Sequence, residues 1–154
     1  MTEPSAQAVQ LLGRIYFIAI IPFFGGAVAP WLLGPAVQAD ATEFMLWSFV
    51  VLIFCSAGWL GFKIGSGERF VALQLFISLA VCASAVAAAL AARAKSPFIG
   101  VTLLTFLHWV NLVWLQKTGT LHKDILKQHQ RFVWTLLACH MVVLWNLIYR
   151  MQAV

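Results

Sequence analysis

The chain has 154 residues, of which 62% are hydrophobic and 10% charged, whereas a soluble domain carries about 25% charged residues. That balance excludes a water-coated globule and makes lipid the solvent for most of the surface. The net charge of +5 comes from lysines and arginines placed between apolar runs, a positive-inside pattern rather than a nucleic-acid-binding one.

In hydrocarbon every backbone polar group must be satisfied internally, so the spanning structure is either helical or a closed barrel. Barrel strands are about 10 residues long and alternate polar with apolar. The runs here are longer and do not alternate, which predicts an all-α, polytopic membrane protein. A single transmembrane domain over 1–154 is expected, a bundle of five helices at about 12–33, 44–62, 70–92, 97–116 and 132–149.

The first run, LGRIYFIAIIPFFGGAVAPWLL, follows an opening, MTEPSAQAVQ, that lacks the basic start of a secretory signal. The helix is therefore expected to persist in the mature protein, as in a bacterial inner-membrane protein. Pro22, Gly25, Gly26 and Pro30 interrupt it. Proline removes a backbone donor and clashes with the preceding turn, so a kink is predicted near 18–22. Broken helices also build transporter sites, but those come in pairs and no second run repeats the pattern.

The second run ends in Ala57, Gly61 and Gly65, and the third carries Ala80, Ser84, Ala88 and Ala91. Small residues at four-residue spacing let helix backbones approach closely, which marks packing faces within the chain or between copies. The glycines of GWLGFKIGSG follow no strand and do not read as a nucleotide loop. Cys55, Cys82 and Cys139 lie inside apolar runs without metal-type spacing, and read as small apolar side chains.

The fourth run contains LLTFLHWVNLVWLQK, in which Thr105, His108 and Asn111 recur at three-residue spacing and share a helix face. Polar side chains inside a membrane avoid lipid, so this stripe is expected to point into the bundle. The segment 117–131, KTGTLHKDILKQHQR, reads as a solvated basic loop touching anionic headgroups, with His122 and His129 too few for a metal site. The fifth run places His140 nine residues from Arg131, and His108 lies nine residues from Lys117. In antiparallel neighbours both imidazoles then sit about 13 Å deep by helical rise.

Orientation follows from the basic residues. With the N-terminus inside, Arg14, Lys63, Arg69, Lys117, Lys123, Lys127 and Arg131 lie inside, against Arg93, Lys95 and Arg150 outside. Trp31, Trp47 and Trp145 then fall near the outer boundary, and Trp114 and Trp134 near the inner one.

One family likeness can be quoted. Leu12-Gly13 with Ile21-Pro22-Phe23, the run Leu52-Ile53-Phe54-Cys55-Ser56-Ala57-Gly58-Trp59-Leu60-Gly61, and Arg131 followed by Trp134-Thr135 resemble the transmembrane protein 69-like family of small polytopic membrane proteins. That family carries Leu-x-Phe-x-Gly-Gly-x-His-Trp-Gly in its second helix. Leu52, Phe54 and Gly61 match, Ser56 and Ala57 keep the small character, and Trp59-Leu60 replaces His-Trp. The resemblance implies about five helices and no transferable enzyme activity.

The functional expectation is a non-enzymatic structural or assembly partner of other membrane proteins, or of its own copies, without a cofactor. His108 and His140 are then polar contacts between helices. The alternative is a b-type haem redox protein with both histidines as axial ligands, or a small transporter centred on them. A proton relay has little support, because the runs hold no Asp or Glu deep inside them.

Overall fold

The structure, a computed structural model, describes residues 6–32, 41–65, 86, 97–118 and 121–152. Its long elements are all α: α1 (Ala6–Leu32), α2 (Ala41–Gly65), α3 (Pro97–Thr118) and α4 (Lys123–Gln152). Three stretches are long and apolar enough to cross a membrane, Val9–Leu32, Pro97–Lys117 and Lys123–Gln152, and α2 holds a shorter apolar stretch, Glu43–Ala57. The expected third helix, 70–92, with its Ala80, Ser84 and Ala88 face and Cys82, lies outside the described residues apart from Val86, which is helical.

Large apolar side chains face outward as well as inward, around an apolar core that also encloses polar groups. Phe17, Ile18, Phe24, Phe54, Trp134 and Trp145 are exposed, whereas Ser48, Ser56, His108, His129, His140 and Asn146 are buried. Apolar groups outside and polar groups inside is the arrangement that a lipid solvent favours.

α1 packs on α2, α2 on α3, α3 on α4, and α4 back on α1, so the four close into a ring. Their directions follow from the contacts. Tyr16 stacks on Phe132, Phe23 lies beside His140 and Trp31 beside Tyr149, so α1 and α4 run parallel. Phe44 meets Phe23, and Trp47 meets Ala19, so α2 is antiparallel to α1. Parallel α3 and α4 with His108 against His140 would leave about 40 Å between Thr118 and Lys123. Five residue steps span less than about 20 Å, so α3 is antiparallel to α4 and parallel to α2.

α1 continues through Pro22 and Pro30. Pro22 leaves the Ile18 carbonyl without its usual amide donor, and next to it the Trp47 indole N–H donates to the Ala19 carbonyl at 3.1 Å. A neighbouring helix thus supplies a donor to the turn that proline disturbs. Gly26 serves close approach: a Cβ there would come within 2.9 Å of the Phe44 ring, whereas one on Gly25 would meet nothing within 4 Å. Of these two glycines, therefore, Gly26 brings α1 and α2 together.

One expectation needs correction. The 117–131 segment is not a loop over most of its length, because α4 begins at Lys123. The Leu126 amide bonds the His122 carbonyl at 2.9 Å, closing the first turn, and Asp124 lies in that turn, where a carboxylate favours the helix dipole. His129 and Phe132 continue the buried stripe of α4 toward its N-terminus, and Leu121 just before the helix is buried too, so packing overrides the polar composition. Ala57, one of the small residues expected on a packing face within the chain or between copies, is exposed on the single chain, and its neighbour Ser56 is buried. Gly61 and Gly65 fall in the last turns of α2.

Candidate functional site

The buried stripe of α3 is Val101, Leu104, His108, Leu112 and Leu115, and that of α4 includes His129, Phe132, Leu136, His140 and Val143. Both follow the three-and-four spacing of a helix face. α2 presents Met45, Ser48, Leu52 and Ser56 in the same way, and α1 presents Ile20, Phe23 and Ala27. Where these stripes meet, the rings of His108 and His140 stand 5.4 Å apart, with Ser48 between their Nε2 atoms.

The hydrogen bonds have one consistent direction when both rings are neutral. The Leu136 carbonyl can only accept, so His140 Nδ1–H donates to it at 2.9 Å. His140 Nε2 is then an acceptor and takes the Ser48 hydroxyl proton at 2.8 Å. The Ser48 oxygen in turn accepts from His108 Nε2–H at 3.0 Å. The chain His108 to Ser48 to His140 to the Leu136 carbonyl crosses the bundle from α3 through α2 to α4. Phe23 of α1 and Phe44 of α2 close the remaining sides of His140, with ring centroids at 5.9 and 4.8 Å. All four described helices therefore meet at one imidazole, which is 0% exposed.

Thr105 and Asn111 flank His108 and are half-buried. The Thr105 hydroxyl donates to the Val101 carbonyl in its own helix at 2.7 Å, not to α4. Thr102 and Thr135 likewise bond the carbonyls of Phe98 and Arg131 in their own helices. Ser48 differs from these threonines in making its bonds to other helices, and neither the stripe nor the depth argument selects it. Its signal in the sequence is one serine within FMLWSFVVLIF.

A second polar contact lies toward the N-terminal end of α4. The Tyr16 hydroxyl and His129 Nδ1 are 2.8 Å apart, and Tyr16 stacks on Phe132 at 4.5 Å with planes 10° apart. His129 is buried rather than solvated. It lies eleven residues before His140, which is about three helical turns and the same face. The period was readable, but only for a helix that starts at 123 rather than 132. Cys55 and Cys139 are free thiols, half-buried and buried.

The geometry does not fit a haem between His108 and His140. Axial ligation needs each Nε2 aimed at an iron, with a porphyrin plane separating the rings. Here both Nε2 atoms converge on Ser48 Oγ, and Phe23 and Phe44 occupy the flanks of His140. Among the described residues no group of three or more His, Cys, Asp or Glu stands close enough to hold a metal ion.

No family model, no curated protein and no solved structure matches this chain. The likeness to the transmembrane protein 69-like family thus rests on the motifs quoted above.

Proposed function

We propose that this chain is an integral membrane scaffold, a structural or assembly partner of other membrane proteins, whose buried histidines hold the bundle rather than perform chemistry. The observation that carries this reading is the binding of both imidazoles by Ser48 at Nε2, in rings that are buried and open onto no cavity among the described residues. Function then belongs to the outer, lipid-facing surface, which is rich in exposed Phe, Ile and Trp.

The topology proposed with it is five spans, N-terminus inside and C-terminus outside, in a bacterial inner membrane. Support comes from helix direction. α2 and α3 are parallel, so the chain must return between Gly65 and Pro97, a distance of about 40 Å by helical rise from the Ser48–His108 level. The apolar run 70–92 has the length for it. Arg14, Lys63, Lys117, Lys123, Lys127 and Arg131 then belong to one end of the bundle and Arg150 to the other, as the positive-inside rule expects of an inner end. Trp31 and Tyr149, paired at 6.1 Å and exposed, mark the opposite boundary.

Photo-crosslinking from Phe17, Phe54 or Trp145 in native membranes, followed by pull-down, tests the scaffold reading. Specific crosslinks to other membrane proteins or to a second copy are expected, and crosslinks to lipid alone at every site contradict it. The visible spectrum of the purified protein tests the rival. No Soret band is expected, and one at about 410–430 nm, lost in both His108→Leu and His140→Leu, establishes the redox reading instead.

A further inference from the structure

The basic end of α1 and α4 carries two adjoining cavities, of about 530 and 270 Å³, that share Gly13, Phe17 and Gln128 as walls. Arg14 lines the first and Arg131 the second. Because α1 and α4 run parallel with Tyr16 against His129 and Phe132, the two arginines stand at one level on adjacent helices. Neither cavity is lined by a carboxylate, and neither guanidinium has an acidic partner among the described residues. Below the arginines the wall turns apolar, through Phe17 and Phe24.

We propose that this groove binds one anionic phospholipid of the surrounding bilayer. The phosphate sits between Arg14 and Arg131, with the Gln128 amide as a neutral donor, and an acyl chain lies along Phe17 and Phe24. Charge complementarity selects the headgroup: guanidinium donors match phosphate oxygens, and basic pockets between transmembrane helices on the inner side are where anionic headgroups lodge. Gly13 keeps the groove open. A Cβ there would stand 3.8 Å from the Gln128 amide oxygen, an ordinary contact, but a larger side chain would fill the space shared by both cavities. The inference rests on the reading of α1 and α4 as membrane spans.

The test is native mass spectrometry of the full chain released from neutral detergent with phosphatidylglycerol or phosphatidylcholine added. Wild type is expected to retain one phosphatidylglycerol at activation energies that strip phosphatidylcholine. Arg14→Gln with Arg131→Gln should lower that retention at least fivefold. Gly13→Leu, which keeps both charges, should lower it as well. Circular dichroism and the thermal midpoint report whether each variant is folded, and Gly13→Ala, a mild change, should retain lipid like wild type. Equal retention of the two lipids by wild type, or undiminished phosphatidylglycerol on the double variant, overturns the proposal. So does thermal protection by glycerol phosphate equal to that by phosphatidylglycerol, since the apolar wall would then contribute nothing. Alkaline carbonate extraction separates this outcome from failure of the spanning reading: a chain that leaves the membrane is not integral, whereas one that stays without lipid preference lacks only the groove site.

Discussion

Ser48 and Ser56 are eight residues apart on the same face of α2, both buried, and chemically identical, yet they should respond oppositely to the same substitution. Ser48 bonds two imidazoles, so Ser48→Ala leaves His108 Nε2–H and His140 Nε2 without their shared partner. Loss of a buried partner costs about 1–3 kcal/mol in water-soluble proteins, and about 1 kcal/mol between membrane helices. Ser56 Oγ has no hydrogen-bond partner among the described residues, so Ser56→Ala removes an unpaired hydroxyl and should leave the thermal midpoint in detergent unchanged or higher. Thr105→Val should likewise shift stability by less than about 0.5 kcal/mol, because its hydroxyl bonds only its own helix. A loss from Thr105→Val as large as that from Ser48→Ala would mean that Thr105 makes the interhelical contact after all. His108→Gln keeps a donor at the same depth and should be milder than His108→Leu.

At the scale of helices, the close approach of α1 and α2 depends on one glycine. Gly26→Ala places a methyl 2.9 Å from the Phe44 ring, and that ring is held between Phe23 and His140. It cannot yield freely, so overpacking should cost about 1–3 kcal/mol. Gly25→Ala meets nothing and, by helix propensity, should be neutral or slightly stabilising. Matching melting curves for the two alanine variants would show that Phe44 is not fixed there. The same scale shows what the sequence made legible. Long apolar runs located α2 and α3 within about three residues and the C-terminal ends of α1 and α4 equally well, but α1 and α4 begin six and nine residues earlier than their apolar runs. The start of α4 was hidden because Lys123, Asp124, Lys127 and Gln128 make its first turns look like loop, although the buried His129 and Phe132 carry the helix period back from Leu136 and His140. Equal nine-residue offsets placed His108 and His140 at one depth. The residue joining them was not legible, since a serine among apolar side chains carries no period of its own.

For the molecule as a whole, the parallel run of α1 and α4 bears on topology. Reporters fused before Met1 and after Val154 should report opposite sides of the membrane, inside for the first and outside for the second. Both on one side would require an even number of crossings and would remove the fifth span. The ring α1–α2–α3–α4 is joined at its centre by Ser48 and the two histidines, so the bundle should unfold as one unit rather than helix by helix. The most direct measurement of that central contact is a double-mutant cycle on Ser48→Ala and His108→Leu, followed by equilibrium unfolding in mixed micelles. Each single variant breaks the same bond, so the double variant should lose less than the sum, with a coupling energy of about 0.6–1.7 kcal/mol. Losses that add to within about 0.3 kcal/mol would contradict it, for then Ser48 and His108 do not hold one another and the polar centre does not lock the helices.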